Sequence, residues 1–131
     1  MITLEQYFGK FKPEHVENAE KLLSAVNALM SEAILDGIEF RVNPVTKSQV
    51  SGAQYGGFRP LDCPIGAPNS SHKQAMAVDL YDPKDEIDAW CVSHLDKLEI
   101  AGIYIEHPDD TKTWSHWTIR PPKSGSRVFK P

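Results

Sequence analysis

Apolar residues return every three or four positions along Val16, Ala19, Leu22, Leu23, Val26, Leu29, Met30, Ala33 and Ile34. That is the spacing of one helix face, and it predicts a long amphipathic helix. Pro13 suits its first position, where a missing N–H costs nothing. Asp36-Gly37 supplies the stop, with Gly37 free to take the left-handed cap. Ile38 to Val42 reads as a short strand. Asn43 to Asn69 is rich in Gly, Pro, Ser and Asn and shows no period; a structureless stretch of this length often carries function. The period then becomes two. Ala77, Asp79 and Tyr81 alternate with Met76, Val78 and Leu80, which predicts a strand over Ala75 to Tyr81. A second helix is expected next, capped by Asp82, with Pro83 first and Ile87, Trp90, Cys91, Val92, Leu95 and Leu98 facing inward. Strands follow at Ile103 to Glu106 and Thr113 to Ile119, joined by the loop His107 to Lys112. The tail, Arg120 to Pro131, is expected to dock back through Val128-Phe129.

Strand runs without regular βα alternation define an α+β class: a small antiparallel sheet, the long N-terminal helix, and the second helix packed on it. The 131 residues suit one domain, residues 1–131. With 40% hydrophobic and 24% charged residues the chain is globular rather than disordered. Its net charge of -4 and lack of a basic face argue against a nucleic-acid partner. The opening segment, MITLEQYFGKFK, has no basic region followed by an apolar run, and no stretch approaches the roughly 18 apolar residues of a membrane span. The expectation is a cytoplasmic protein without signal peptide or membrane contact. No obligate protein partner is evident. Cys63 and Cys91 form neither a disulfide framework nor a CxxC zinc pair; Cys91 is expected to be a buried thiol.

Of five histidines, His15 reads as a surface residue, whereas His72 and His116 stand in unusual settings. His72 opens the segment that leads to Asp79, and His116 lies on a later strand. Two imidazoles and one carboxylate are the donor set of open hydrolytic zinc sites. On one continuous strand, residues seven apart would face opposite ways, so His72 and Asp79 converge only if the chain bends between Lys73 and Ala75. Asp79 sits among apolar neighbours, where an unpaired carboxylate is costly. The plainer alternative is that the histidines are hydrogen-bonded and Asp79 pairs with an arginine.

Ser70-x-His72, then Ala77-x-Asp79, then Trp114-x-His116 resembles the motif of the zinc D-alanyl-D-alanine carboxypeptidase and L-alanyl-D-glutamate endopeptidase family, which shares the Hedgehog/DD-peptidase fold and includes phage endolysins. Tyr55-Gly-Gly-Phe-Arg59 resembles its upstream arginine turn. Ser124-Gly-Ser-Arg127-Val-Phe129-Lys-Pro131 resembles the tail of compact phage-type members. The likeness runs from about Val50 to His116. It implies Zn2+ held by His72, Asp79 and His116, with Ser70 and Trp114 supporting the ligands. Two positions depart from the pattern. Ala75 stands where glycine is frequent, which matters if the position needs positive φ. Thr113 stands where many members carry an acidic base.

A zinc hydrolase needs a proton acceptor beside the attacking water. Glu106, at a strand end, is the expected base, with His107, Asp109 and Asp110 as rivals. Arg59 would stabilise the developing oxyanion or bind a substrate carboxylate. Trp114 and Trp117 read mainly as packing. The implied substrate is a peptidoglycan stem peptide, cut by a phage or prophage lysis enzyme that reaches the wall through a holin or is carried in the virion. The alternative is a catalytically inactive zinc-containing module of the same fold.

Overall fold

The computed structural model describes residues 1–131. Helix α2, Val16–Leu35, buries Ala19, Leu22, Leu23, Val26, Leu29, Met30 and Ala33. Complete burial of a Leu or Met side chain contributes roughly 1.5–3 kcal/mol, so this stripe anchors the core. Val16 and Ile34 lie at its edges and stay exposed. The helix starts later than Pro13 predicts, because His15 adopts left-handed backbone angles just before it. His15 itself is exposed, as expected. At the other end Gly37 (φ 91) donates to the Ile34 carbonyl and Ile38 to the Ala33 carbonyl. This paired closure satisfies carbonyls the helix leaves free.

A short helix, α1 (Leu4–Phe8), precedes it and was not expected. Thr3 and Gln6 form a reciprocal capping box at its start. It drives Tyr7 and Phe8 into the core, where Phe8 packs on Phe58. Five residues are too few to show a helical period.

The sheet comprises β1 (Ala77–Tyr81), β2 (Tyr104–Glu106), β3 (Trp114–Thr118) and β4 (Val128–Phe129), in the order β1-β3-β2-β4. β1–β3 and β2–β3 are antiparallel. β4 pairs parallel to β2, so the sheet is mixed rather than antiparallel throughout. The tail docks as expected, and in doing so becomes a strand.

Ile38 to Val42 does not form the predicted strand. Its alternation holds over Ile38 to Phe40, where Ile38 and Phe40 pack on the core and Glu39 is exposed, and fails at Val42, which is exposed. What it lacks is a neighbour. The outer edge of β1 is taken by the loop at 49–56: Ser51 donates to the Asp79 carbonyl, and Asp79 and Tyr81 donate to the Gly56 and Gln49 carbonyls.

The second helix is two helices, α3 (Glu86–Ser93) and α4 (Leu95–Ala101), broken at His94. Ile87, Trp90, Cys91 and Leu98 are buried, but the break turns Val92 and Leu95 outward. Pro83 lies in the preceding turn. Asp82 caps from outside the helix, its carboxylate accepting the N–H groups of Ile87 and Asp88 at 3.1 and 3.2 Å. α4 packs against α2. No helix is long and apolar enough to cross a membrane. Both cysteines are free and buried.

Candidate metal centre

Asp79 and His116 face each other across β1 and β3. The backbone N–H and C=O of Asp79 both turn to the 49–56 loop. The Asp79–His116 pair therefore exchanges no ladder bonds, the arrangement that brings facing side chains closest. His116 Nδ1 lies 2.8 Å from Asp79 Oδ1.

His72 reaches the same point from a different direction. Residues Ser71–Gln74 form a single 3-10 turn, capped by the Ser70 hydroxyl, which accepts the His72 N–H. Ala75 then takes left-handed angles, φ 57 and ψ 36, and the chain enters β1. This is the bend that convergence required, and Ala75 does occupy the positive-φ position. A left-handed alanine costs roughly 1–2 kcal/mol, here borne within the packed core.

The His72 ring is held from behind. Its Nδ1 donates to the Gly57 carbonyl at 2.8 Å. Gly56 and Gly57 allow the chain to pass this close: a Cβ on Gly57 would lie 2.1 Å from the Tyr7 carbonyl oxygen, and one on Gly56 2.2 Å from that of Ser51. Donation through Nδ1 leaves the lone pair of neutral His72 on Nε2, and Nε2 faces Asp79 Oδ1 at 3.3 Å. Burial pushes the His72 pKa down, against the attraction of Asp79, so the ring resists protonation. Two acceptors thus confront each other, and a cation between them would resolve the conflict.

The donor atoms of His72, Asp79 and His116 all lie within 4.8 Å of one another. Zinc–ligand bonds of about 2.0–2.2 Å in a tetrahedron separate donors by roughly 3.3–3.6 Å. The separations from Asp79 Oδ1, 2.8 Å to His116 Nδ1 and 3.3 Å to His72 Nε2, lie near that spacing. Burial alone would raise the Asp79 pKa, but the two imidazoles outweigh it and hold the carboxyl well below its usual range. Asp79 is thus ready as an anionic ligand. These residues, His72 buried and Asp79 and His116 partly so, could hold a metal ion.

Arg59 completes the network. Its Nη2 lies 3.5 Å from Asp79 Oδ2, its Nε donates to the Tyr55 carbonyl, and its backbone N–H donates to the His72 carbonyl. The sequence alternative of an arginine paired with Asp79 is therefore also present, on the carboxylate oxygen that His116 and His72 do not share.

A cleft of about 820 Å³ opens over these groups. It is lined by Arg59, Ser70, His72, Asp79, Glu106, Trp114 and His116, which brings together the three ligand candidates, the expected base, the arginine and the two supporting residues. Of the four candidate bases only Glu106 lines it. His107 accepts the Asp109 N–H, and Asp110 pairs with Lys130. Burial raises the Glu106 pKa, opposed by His116. Thr113 sits in a turn at φ 74, its N–H held by Asp85.

Trp117 is buried, as expected of packing. Trp114 is not in that role; it shares the His116 face of β3 and lines the cleft. Sequence reasoning also missed Arg120 and Phe129 in the cleft wall. Arg120 donates to Gln74 Oε1, and Phe129 sets its ring edge-on to His116 with centroids 6.1 Å apart. The tail motif was the available signal for Phe129. A separate cavity of about 480 Å³ between α1 and the 45–57 loop holds none of the candidate chemistry.

The chain is matched by no protein-family model, no curated protein and no solved structure, so its chemistry is read from its own geometry.

Proposed function

We propose that this chain is a zinc-dependent peptidase that cleaves peptidoglycan stem peptides, of the D,D-carboxypeptidase or L-alanyl-D-glutamate endopeptidase type and with the Hedgehog/DD-peptidase fold. The observation that carries the reading is the His72–Asp79 confrontation: a neutral imidazole lone pair and an ionised carboxylate, 3.3 Å apart beside His116. A zinc ion held by His72, Asp79 and His116 would supply a Lewis acid and a water made acidic enough to attack at neutral pH.

The chain's own residues supply the rest. Glu106 takes the proton of the attacking water and passes it to the leaving amine, a role suited by the raised pKa of a half-buried carboxyl. Arg59, already fixed by the Tyr55 carbonyl, presents donors to a developing oxyanion or to a substrate carboxylate. Arg120, Lys123 and Lys130 join Arg59 around the cleft. Four cations in a chain of net charge -4 favour an anionic peptide, and stem peptides carry carboxylates. A phage or prophage lysis enzyme is the biological setting that the tail motif supports.

A second reading, an inactive zinc-containing binding module, draws on Thr113, which stands where the resemblance places an acid and accepts no proton. Elemental analysis and wall-lysis turbidity, with and without chelator, separate the two. The peptidase reading expects about one zinc per chain and chelator-sensitive lysis. Glu106→Gln should keep the metal and lose roughly 10²–10⁴-fold in rate. Zinc without lysis on several wall types supports the module, and no zinc after reconstitution removes both.

A further inference from the structure

Glu106 has only one strand partner. In the β2–β3 ladder Tyr104 pairs with Thr118 and Ile105 with Trp117, and the pairing stops there. Glu106 is instead opposite Phe129 in the parallel β2–β4 pair. The hydrogen bonds on either side of it also run to the tail: Ile105 donates to the Arg127 carbonyl at 2.9 Å, and His107 to the Phe129 carbonyl at 2.7 Å. The segment that holds Glu106 is therefore aligned by β4.

The tail is itself fastened to the beginning of β2. The Arg127 guanidinium lies 4.0 Å over the Tyr104 ring, and its Nη1 donates to the Ile103 carbonyl at 3.1 Å. A cation over an aromatic face is attracted by the ring's electron-rich face, so the contact fastens the tail to β2. Beyond Glu106, Lys130 pairs with Asp110 at 3.4 Å. Between these two fastenings Phe129 sets its ring edge against His116 and forms part of the cleft wall. One side chain thus touches a metal-ligand residue while its backbone aligns the base.

We propose that Arg127 and Phe129 are positioning residues of the site: Arg127 fixes the register of β4 on β2, and Phe129 sets the distance between Glu106 and His116. The proposal rests on Glu106 being the base. Its physical ground is that proton transfer demands hydrogen-bond reach, and that a misplacement of about 1 Å can cost roughly 10²-fold in rate. β2 has three residues and two antiparallel pairs, too little ladder to hold Glu106 to that tolerance alone.

The test uses the zinc-loaded full chain and three variants, Arg127→Ala, Phe129→Ala and Phe129→Leu, the last keeping an apolar side chain if the alanine variant folds poorly. Two quantities are measured: kcat and KM on a purified stem peptide, and the carboxyl ¹³C resonance of Glu106, assigned by its loss in Glu106→Gln. The expected result is one metal per chain throughout, kcat down roughly 10- to 100-fold with KM within about threefold, and a shifted or broadened Glu106 resonance. Phe129→Leu should show the same changes in milder form. Unchanged kcat with an unmoved resonance overturns the proposal, as does a fall in melting temperature alone. If the wild type turns over no stem peptide, the peptidase reading fails separately. The Glu106 resonance then decides the positioning claim: movement in Phe129→Leu keeps it, and no movement ends it.

Discussion

Two clusters of three ligand-type side chains lie close together along the chain, and they behave in opposite ways. His72, Asp79 and His116 meet at the cleft; Asp82, Asp85 and Asp88 meet at the start of α3. By proximity alone both could hold a cation. Their partners distinguish them. Asp82 accepts the N–H groups of Ile87 and Asp88, Asp85 accepts that of Thr113, and Asp88 accepts the hydroxyls of Thr111 and Ser115. These acceptors are engaged in ending a strand and starting a helix. In the first cluster the only backbone bond to an imidazole nitrogen comes from behind, at His72 Nδ1, and it aims the other nitrogen at the carboxylate. The pKa directions follow: burial raises Asp82 and Asp88, whereas imidazoles draw Asp79 down. In the first cluster an imidazole lone pair faces a carboxylate, which leaves room for a cation; in the second the carboxylates face N–H and O–H donors.

The strongest break of this comparison is removal of a ligand. His72→Ala or Asp79→Asn should cost far more metal affinity than the roughly 10–100-fold typical of supporting residues, while Asp85→Asn leaves it unchanged. Competition with a chromophoric chelator reads both. Loss of metal from Asp85→Asn would reverse the assignment.

Asp88 sharpens the contrast through pH. Its carboxyl is pushed up to about 6 by burial, opposed by the hydroxyls of Ser115 and Thr111. The folded state therefore binds this proton more tightly than the unfolded chain, whose carboxylates titrate near about 4. Stability from this group is present below that value and is lost as pH rises toward about 6, by on the order of 2–3 kcal/mol. Asp88→Asn should flatten the pH dependence of the melting temperature between about pH 4 and 7; an unchanged slope would show that Asp88 is not its source.

The smallest effect concerns the cap. Asp82→Ala removes the acceptor for Ile87 and Asp88 and should lower stability by about 1–2 kcal/mol in denaturant unfolding. Metal affinity should stay at the wild-type value; a coupled fall would show that the two clusters are mechanically linked.

These contrasts bear on what a sequence makes legible. Asp79 stood out because strand alternation set a carboxylate among apolar positions, and the fold places it in that setting. The helix α2 was legible because its stripe is long. Ile38 to Val42 misled because alternation reports which face is buried but not whether a neighbouring strand exists; the 49–56 loop took the available edge. α1 and β4 are too short to carry a period. Asp82 was recognised as a cap, but its reach across four residues to Ile87 could not be read from adjacency. The Gly57 carbonyl that orients His72 was invisible, since backbone acceptors leave no mark on composition. The tail motif was noticed as a pattern, and only the pairing of Glu106 with Phe129 shows where it lies.

The covering of β1 by the 49–56 loop has a further consequence, for solubility at high concentration. An open sheet edge is a template for a second chain, and long exposed edges favour intermolecular pairing. Here the N–H and C=O of Asp79 are already taken by Gly56 and Ser51. The opposite edge offers only β4, two residues followed by Lys130 and Pro131, and a lysine and a proline are common means of blunting an edge. Neither side offers a strand long enough to recruit another copy. The loop that holds Gly57 behind His72 thus also guards the sheet against aggregation.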